Sequence, residues 1–92
     1  NEAAVAGICE MLLQSYDGCL YFLPALPDTW KDGNISGICA RGGVEADFTW
    51  KDKQVTSATL RSSISQTVTV RINGHTTQVH LTANHPQNVY AD

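Results

Sequence analysis

Of all the features of this sequence, the stretch from Val44 to Trp50 places the strongest limit on the fold that the chain can adopt. Apolar and polar residues alternate strictly along it, so that one face would carry Val44, Ala46, Phe48 and Trp50 and the other Glu45, Asp47 and Thr49. Successive strand residues point to opposite sides of a sheet, and this period of two is typical of a half-buried strand. The chain is therefore expected to build a sheet with one face on a core.

A second strong signal is the dipeptide Asn73-Gly74, which lies between the strand-like runs Thr67–Ile72 and His75–Leu81. Asn-Gly favours a type I′ turn, and a two-residue turn fixes the register of its hairpin. We expect Ile72 opposite His75, Val70 opposite Thr77 and Val68 opposite Val79. The inner face would then consist of Val68, Val70, Ile72, Val79 and Leu81.

Further strands are predicted at Leu20–Leu23, Ile35–Ala40 and Val55–Ser62, whereas the residues from Thr82 onward resemble a loop or a frayed end. A rigid turn, Leu23-Pro24-Ala25-Leu26-Pro27, leads to Trp30. Proline biases the preceding residue towards extended backbone, so Leu23 and Leu26 are expected to be held out as anchors against another surface.

The first residues predict a helix from Glu2 to Tyr16. Val5, Ile8, Leu12 and Leu13 follow helical spacing, Asn1 is a plausible N-cap, and Gly18 stands where a C-terminal glycine is expected. The opposite side is also mostly apolar and small, which suggests a helix buried on two sides. With 92 residues, we expect one domain. It would be a mostly β fold: a small antiparallel β-sandwich of five or six strands preceded by one N-terminal α-helix.

Charge and hydropathy exclude several partners. The net charge is −3 with scattered cations, which argues against nucleic acid as a partner. No apolar run approaches the roughly 18 residues that a membrane span requires. The chain begins with Asn1 rather than Met, so we expect a processed or cut product.

None of the chemistry-bearing residues forms a convincing active site. Glu45 and Asp47 share one strand face, which suggests a glycosidase carboxylate pair, but a solvated strand face is the expected interpretation. His75 and His80 have odd spacing on one strand, which places them on opposite faces and argues against a shared metal. Four aromatics offer a sugar-stacking platform as an alternative to core or docking roles: Tyr21, Trp30, Trp50 and Tyr90. We therefore predict no catalytic, cofactor-binding or metal-binding residue.

The three cysteines, Cys9, Cys19 and Cys39, are an odd set without CxxC spacing. Three unpaired thiols are the expected state. One bridge between Cys19 and Cys39, which lie at the edges of predicted strands, stays open.

The order of the motifs resembles the C-terminal end of glycoside hydrolase family 95, the inverting α-L-fucosidases and some α-L-galactosidases. The resemblance covers about residues 5 to 60. It rests on residues 7–15, 17–18, 23–27, 40–43 and 50–52, and on Trp30, Gly33, Gly37 and Asp47. The chain departs from the pattern at Lys53, where the family usually has glycine in a turn.

The resemblance implies a domain assignment. Residues 1–17 would be similar to the last helix of an absent (α/α)6 catalytic barrel, and residues 18–92 to a C-terminal β domain. The family's catalytic carboxylates would lie before this chain, so none is transferred to it. The implied partners are the barrel of the parent chain and, through it, a fucosylated glycan, and such parents are usually exported.

Two functions follow as hypotheses. The first is an accessory, non-catalytic domain of an α-L-fucosidase, in which the full-length parent is the enzyme and requires no cofactor from this chain. The alternative is a free-standing carbohydrate-binding β-sandwich module.

Overall fold

The computed structural model describes residues 11–91. Eight strands form the fold. They are β1 (Leu13–Tyr16), β2 (Cys19–Phe22), β3 (Gly33–Ala40), β4 (Val44–Lys51), β5 (Gln54–Ser62), β6 (Gln66–Ile72), β7 (His75–Leu81) and β8 (Gln87–Ala91).

The strands form two four-stranded sheets that pack as a sandwich. The first sheet has the order β1-β2-β6-β7 and the second β3-β4-β5-β8. Neighbours are antiparallel except β2 and β6, which run parallel with Leu20 opposite Val70. The prediction of a purely antiparallel sandwich is wrong at this pair. Strands β3, β4 and β5 of the second sheet lie between β2 and β6 in the chain, so a long crossover and not a hairpin joins the two strands.

Two-residue turns close three of the four hairpins in residues 11–91, and the three residues Arg41-Gly42-Gly43 close the fourth, β3–β4. The central residues of the two-residue turns all have positive φ, as a type I′ turn requires: Asp17-Gly18 (51° and 76°), Asp52-Lys53 (52° and 65°) and Asn73-Gly74 (52° and 82°). The β6–β7 register is the predicted one, with Ile72 opposite His75 and Val68 opposite Val79. Lys53, which stands where the family usually has glycine, adopts the left-handed conformation in this turn.

The core lies between the sheets and is built from their inward-facing side chains. The alternation from Val44 to Trp50 holds in full, because its four apolar members are buried and its three polar members are half-buried. The rings of Phe22 in β2 and Phe48 in β4 meet edge to face across the sandwich, with centroids 5.0 Å apart. That geometry is the favoured one for aromatic pairs.

The predicted N-terminal helix is wrong at its end. Leu13–Tyr16 is strand β1, and Gly18 belongs to the hairpin turn that joins β1 to β2 instead of capping a helix. Only Met11 and Leu12 have helical backbone among residues 11–91. The part of the prediction that falls on residues 1–10 lies outside the described residues.

The predicted count of five or six strands is too low, since β1 and β8 add to the six expected. β8 pairs with β5, with Ala58 opposite Tyr90, so the loop predicted from Thr82 onward is wrong over Gln87–Ala91. Across residues 11–91, no helix has the length and apolar character that crossing a membrane requires.

Candidate functional site

The two carboxylates of β4 are held by one arginine of the neighbouring strand. Arg61 stands opposite Glu45 in the β4–β5 register. Its guanidinium donates to Glu45 Oε1 at 2.5 Å and to Asp47 Oδ2 and Oδ1 at 2.6 and 3.0 Å. Asp47 Oδ1 also accepts the backbone N–H of Gly37 at 2.7 Å. Gly37 (φ 73°) lies where the β3–β4 register shifts, so Asp47 satisfies the donor that this bulge leaves unpaired.

This arrangement does not fit a glycosidase acid–base pair. Hydrogen bonds from Arg61, followed by the bond from Gly37, lower the pKa of Asp47. The two carboxylates in turn raise the pKa of Arg61 above its already high usual value. A general acid needs a raised pKa and access to a leaving group, and Asp47 has a lowered pKa and both of its oxygens engaged. The sequence does not single out Arg61, because a two-residue β4–β5 turn alone would pair Glu45 with Leu60. The bulge between Thr49 and Trp50 shifts the register by one residue and brings Arg61 opposite Glu45.

The turn that follows β2 is fastened to its own sandwich. Leu26 is buried in the core, the Trp50 indole Nε1 donates to the Trp30 carbonyl at 2.9 Å, and Lys53 N donates to the Lys31 carbonyl at 2.8 Å. Leu23 does not have the extended backbone predicted before proline: its φ is 54°. Its N–H donates to the Leu12 carbonyl at 2.8 Å, and that bond holds it in the left-handed region.

The four aromatics do not converge on one platform. Trp50 is buried in the core beside Phe48, with ring centroids 5.8 Å apart. Gly33 lies against the Trp50 ring so closely that a Cβ there would be 2.4 Å from Trp50 Cζ2, which explains the glycine at this position. Tyr21 lies in the other sheet, and Trp30 remains 36% exposed in the turn. The stacking platform of the alternative hypothesis is therefore not formed by these residues together.

The histidines and cysteines do not gather either. His80 Nδ1 lies 3.2 Å from the Thr67 hydroxyl, and His75 and His85 are exposed. Cys19 and Cys39 are free thiols, so the bridge left open between them does not form. In the part of the chain from residue 11 to residue 91, no three His, Cys, Asp or Glu side chains are placed to hold a metal ion.

The largest concavity described lies at one end of the sandwich, where three connections meet. Its volume is about 550 Å³. It is lined by the end of β2 and the proline turn, the β4–β5 turn and the β6–β7 turn: Tyr21, Phe22, Leu23, Pro24, Lys53, Gln54, Arg71, Asn73 and Gly74.

Asn73 holds two of these connections together. Its side-chain Oδ1 accepts the backbone N–H of Val55 at 2.8 Å, and its Nδ2 donates to the Val55 carbonyl at 2.9 Å. The β6–β7 turn of the first sheet is thus bonded to the start of β5 in the second. We refer below to the concavity lined by these nine residues as the end pocket. Hairpin signals alone could not reveal it, because it requires three turns distant in sequence to meet.

Fold and side chains together define a class: a small β-sandwich whose acidic pair, histidines and thiols, within residues 11–91, form no catalytic constellation. This is the class of accessory β domains. Residues 14–91 match the model of the glycoside hydrolase family 95 C-terminal domain, and the chain belongs to that family. It is 41% identical over 73 residues to Alpha-L-fucosidase 2 of Arabidopsis thaliana. That alignment covers 78% of this chain and 8% of the relative.

Proposed function

We propose that this chain is the supporting C-terminal β domain of a glycoside hydrolase that acts on α-L-fucosides, and that it takes no chemical part in hydrolysis. The observation that carries the proposal is the state of Glu45 and Asp47, the one carboxylate pair that the sequence offered for catalysis. Arg61 bridges the two carboxylates, and together with Gly37 it engages both oxygens of Asp47, so the pair is arranged as an ion-pair cluster on a sheet surface and not as an acid and a base on either side of a cleft. The substrate class is taken from the relative named Alpha-L-fucosidase 2.

The proposed role is mechanical. The domain would bind the catalytic barrel of the parent chain, and the exposed part of the proline turn would form part of that contact. Two features support this use of the turn: its backbone is fixed by hydrogen bonds from β4 and from the β4–β5 turn, and the Trp30 side chain stays 36% exposed. A rigid loop with an exposed tryptophan is well suited to an interface, where aromatic anchors are enriched.

The first test measures hydrolysis of an aryl α-L-fucoside by this chain alone and by the complete parent protein. We expect turnover only from the parent. Measurable turnover by the chain itself, retained at constant specific activity through purification, would overturn the supporting role.

A second test replaces Trp30 with serine in the complete parent and in the isolated chain. Loss of a docking anchor should lower the thermal midpoint of the parent's catalytic domain. Ile64→Ser is the matched control, because Ile64 is also exposed (55%) but lies in the β5–β6 connection, away from the turn. Equal effects of the two substitutions on the catalytic domain would contradict docking through Trp30.

A further inference from the structure

The end pocket is cationic. Among the residues from 11 to 91 that line it, two are positively charged, Lys53 and Arg71, and none is Asp or Glu. The whole chain carries a net charge of −3, so this concentration of positive charge runs against the overall balance. A concave surface with charge of a single sign attracts a ligand of the opposite sign.

Arg71 is available to such a ligand. Its Nη1 donates to the Thr76 hydroxyl at 2.8 Å, which orients the guanidinium. Within residues 11–91 no carboxylate lies within ion-pair distance of Arg71, in contrast to Arg61, which binds two. Lys53 is paired with Asp28, whose side chain is 93% exposed, so that partner can swing away into water. The pocket therefore offers one free and one exchangeable cation.

The other lining groups suit a sugar ring. Tyr21 stands beside Arg71 in the β2–β6 register and is half-buried, so part of its surface faces the pocket with the arginine next to it. Aromatic rings pack against the apolar C–H face of a pyranose, and the amide of Gln54 can bond its hydroxyls. Both polar groups of the Asn73 side chain bond the backbone of Val55, so Asn73 lines the pocket but does not contribute a hydrogen bond to a ligand. The volume of about 550 Å³ lies within the range of small-ligand sites.

Backbone strain is concentrated at the same place. Leu23 (φ 54°) and Lys53 (φ 65°) are left-handed without being glycine, asparagine or aspartate, and both line the end pocket. Such conformations are unfavourable for residues with a Cβ and cluster at ligand sites. Here they aim the Lys53 stem and the proline turn around a common opening.

We propose that the end pocket binds an acidic saccharide, with a uronate carboxylate on Arg71 and Lys53 and a sugar ring against Tyr21. This site goes beyond the supporting role, since it would let the accessory domain hold a charged glycan while another part of the parent acts on it. We choose a saccharide over other carboxylate ligands because this chain belongs to a glycoside hydrolase family.

The experiment is a titration of the 15N-labelled chain, monitored by amide and side-chain NMR signals. The probe is α-(1→4)-linked trigalacturonate. Maltotriose, a neutral α-(1→4) trimer, tests the need for the carboxylate, and acetate tests whether a carboxylate alone suffices. Because the site is open and small, a roughly millimolar Kd is expected for trigalacturonate.

The variants are Arg71→Gln and, as a control, Lys51→Gln, which removes an exposed cation of β4 that does not line the pocket. Loss of a charge-assisted hydrogen bond should weaken binding about tenfold in the first variant and leave it unchanged in the second. Should R71Q fail to fold, Lys53→Gln takes its place.

Saturable shifts at Tyr21, Gln54 and the Arg71 side chain, seen with trigalacturonate and weakened by R71Q, would support the proposal. A flat titration would overturn it. Equal responses to acetate would also overturn it, since the pocket would then recognise an anion and not a saccharide. Equal responses to maltotriose would remove the acidic specificity. None of these outcomes depends on whether the parent hydrolyses fucosides.

Discussion

Asn73 has two roles at one position. Its backbone, at φ 52°, forms the type I′ turn between β6 and β7, and its side chain bonds both backbone groups of Val55 in the other sheet. Val55 is 2% exposed, so water cannot replace these bonds. A residue chosen for turn geometry thereby also becomes a tie between the two sheets.

Replacement of Asn73 with glycine separates the two roles, because glycine adopts positive φ without strain. With two hydrogen bonds lost and a buried N–H unpaired, the free energy of unfolding should fall by about 2 kcal/mol. Urea denaturation measures the change. Asn73→Ala adds left-handed strain and should lose roughly 1 kcal/mol more. An N73G variant as stable as the wild type would show that the ties to Val55 contribute nothing net.

Lys53 differs from Asn73, because its left-handed backbone is strained and its side-chain contacts are exposed to water. At φ 65° a lysine incurs a left-handed cost that glycine avoids. Lys53→Gly should therefore raise the free energy of unfolding by about 0.5–1 kcal/mol, after allowance for the greater freedom of glycine in the unfolded chain. Lys51→Gly, at the end of strand β4, is the control and should destabilise. If both variants destabilised equally, strain at position 53 would not be the reason.

At the scale of elements, the Glu45–Asp47–Arg61 cluster binds three strands. Arg61 projects from β5 to the two carboxylates of β4, and Asp47 bonds the bulge of β3. The cluster thus fixes the register of the outer surface, where no apolar packing would do so. Its charges serve the sheet and not catalysis.

The cluster predicts a dependence of stability on pH. Because the pKa of Asp47 is lowered in the folded state, the stabilisation is present above the unfolded value of about 3.9 and is lost as the pH falls through the folded pKa. Wild type should therefore exceed Asp47→Asn in stability at pH 7, and the difference should shrink below about pH 4. Thermal midpoints at pH 7 and pH 3 measure this.

The pKa itself can be followed by NMR of the Asp47 carboxyl carbon. In Arg61→Gln it should return towards its usual range, because Arg61 is the largest cause of the shift. A stability difference between wild type and D47N that stays constant from pH 7 to pH 3 would contradict the assignment.

How far the sequence predicts these elements depends on whether a pattern is local. The alternation in β4 lies within a few residues and gives its position, and the turn chemistry of the β6–β7 hairpin also gives its register. The register of β4 does not follow in this way, because bulges shift it against both of its neighbours. β1 is only four residues long, and Asp17-Gly18 is compatible with a helix end as well as with a hairpin turn. The helical spacing of the apolar residues therefore predicts a helix where the structure has a strand. β8 carries two half-buried apolar residues, Val89 and Tyr90, too few to signal a strand.

The residues of the candidate site also differ in whether a local pattern can predict them. That Glu45 and Asp47 would share the outer face of their strand is a local inference, and the structure places both on that face, half-buried. That Arg61 binds them requires the β4–β5 register, and the end pocket requires β2, β5 and β6 to meet. The parallel pairing of β2 with β6 brings residues about 50 positions apart together, as Cys19 with Thr69. Such contacts come from the packing of the whole chain.

At the scale of the whole molecule, the two sheets depend on one core. No disulfide joins them within residues 11–91, where both cysteines are free. The contact of Phe22 with Phe48, extended by Trp50, runs through the centre of that core. A domain of this size buries only about 60–65% of its unfolded surface, so neither sheet could keep its structure without the other. Unfolding is therefore expected to be a single cooperative transition.

Phe22→Ala tests whether the two sheets unfold together, because Phe22 lies in the first sheet and the fluorescence comes from Trp50 in the second sheet and from Trp30 in the turn bonded to Trp50. Removal of a buried phenylalanine should cost about 3–5 kcal/mol, and Phe22→Leu, which refills most of the volume, much less. Urea unfolding followed by tryptophan fluorescence and by far-UV circular dichroism should give coincident midpoints in both variants, shifted together from wild type. Were the fluorescence midpoint unchanged in F22A while the circular dichroism midpoint fell, the second sheet would be stable by itself, and the single shared core would be refuted.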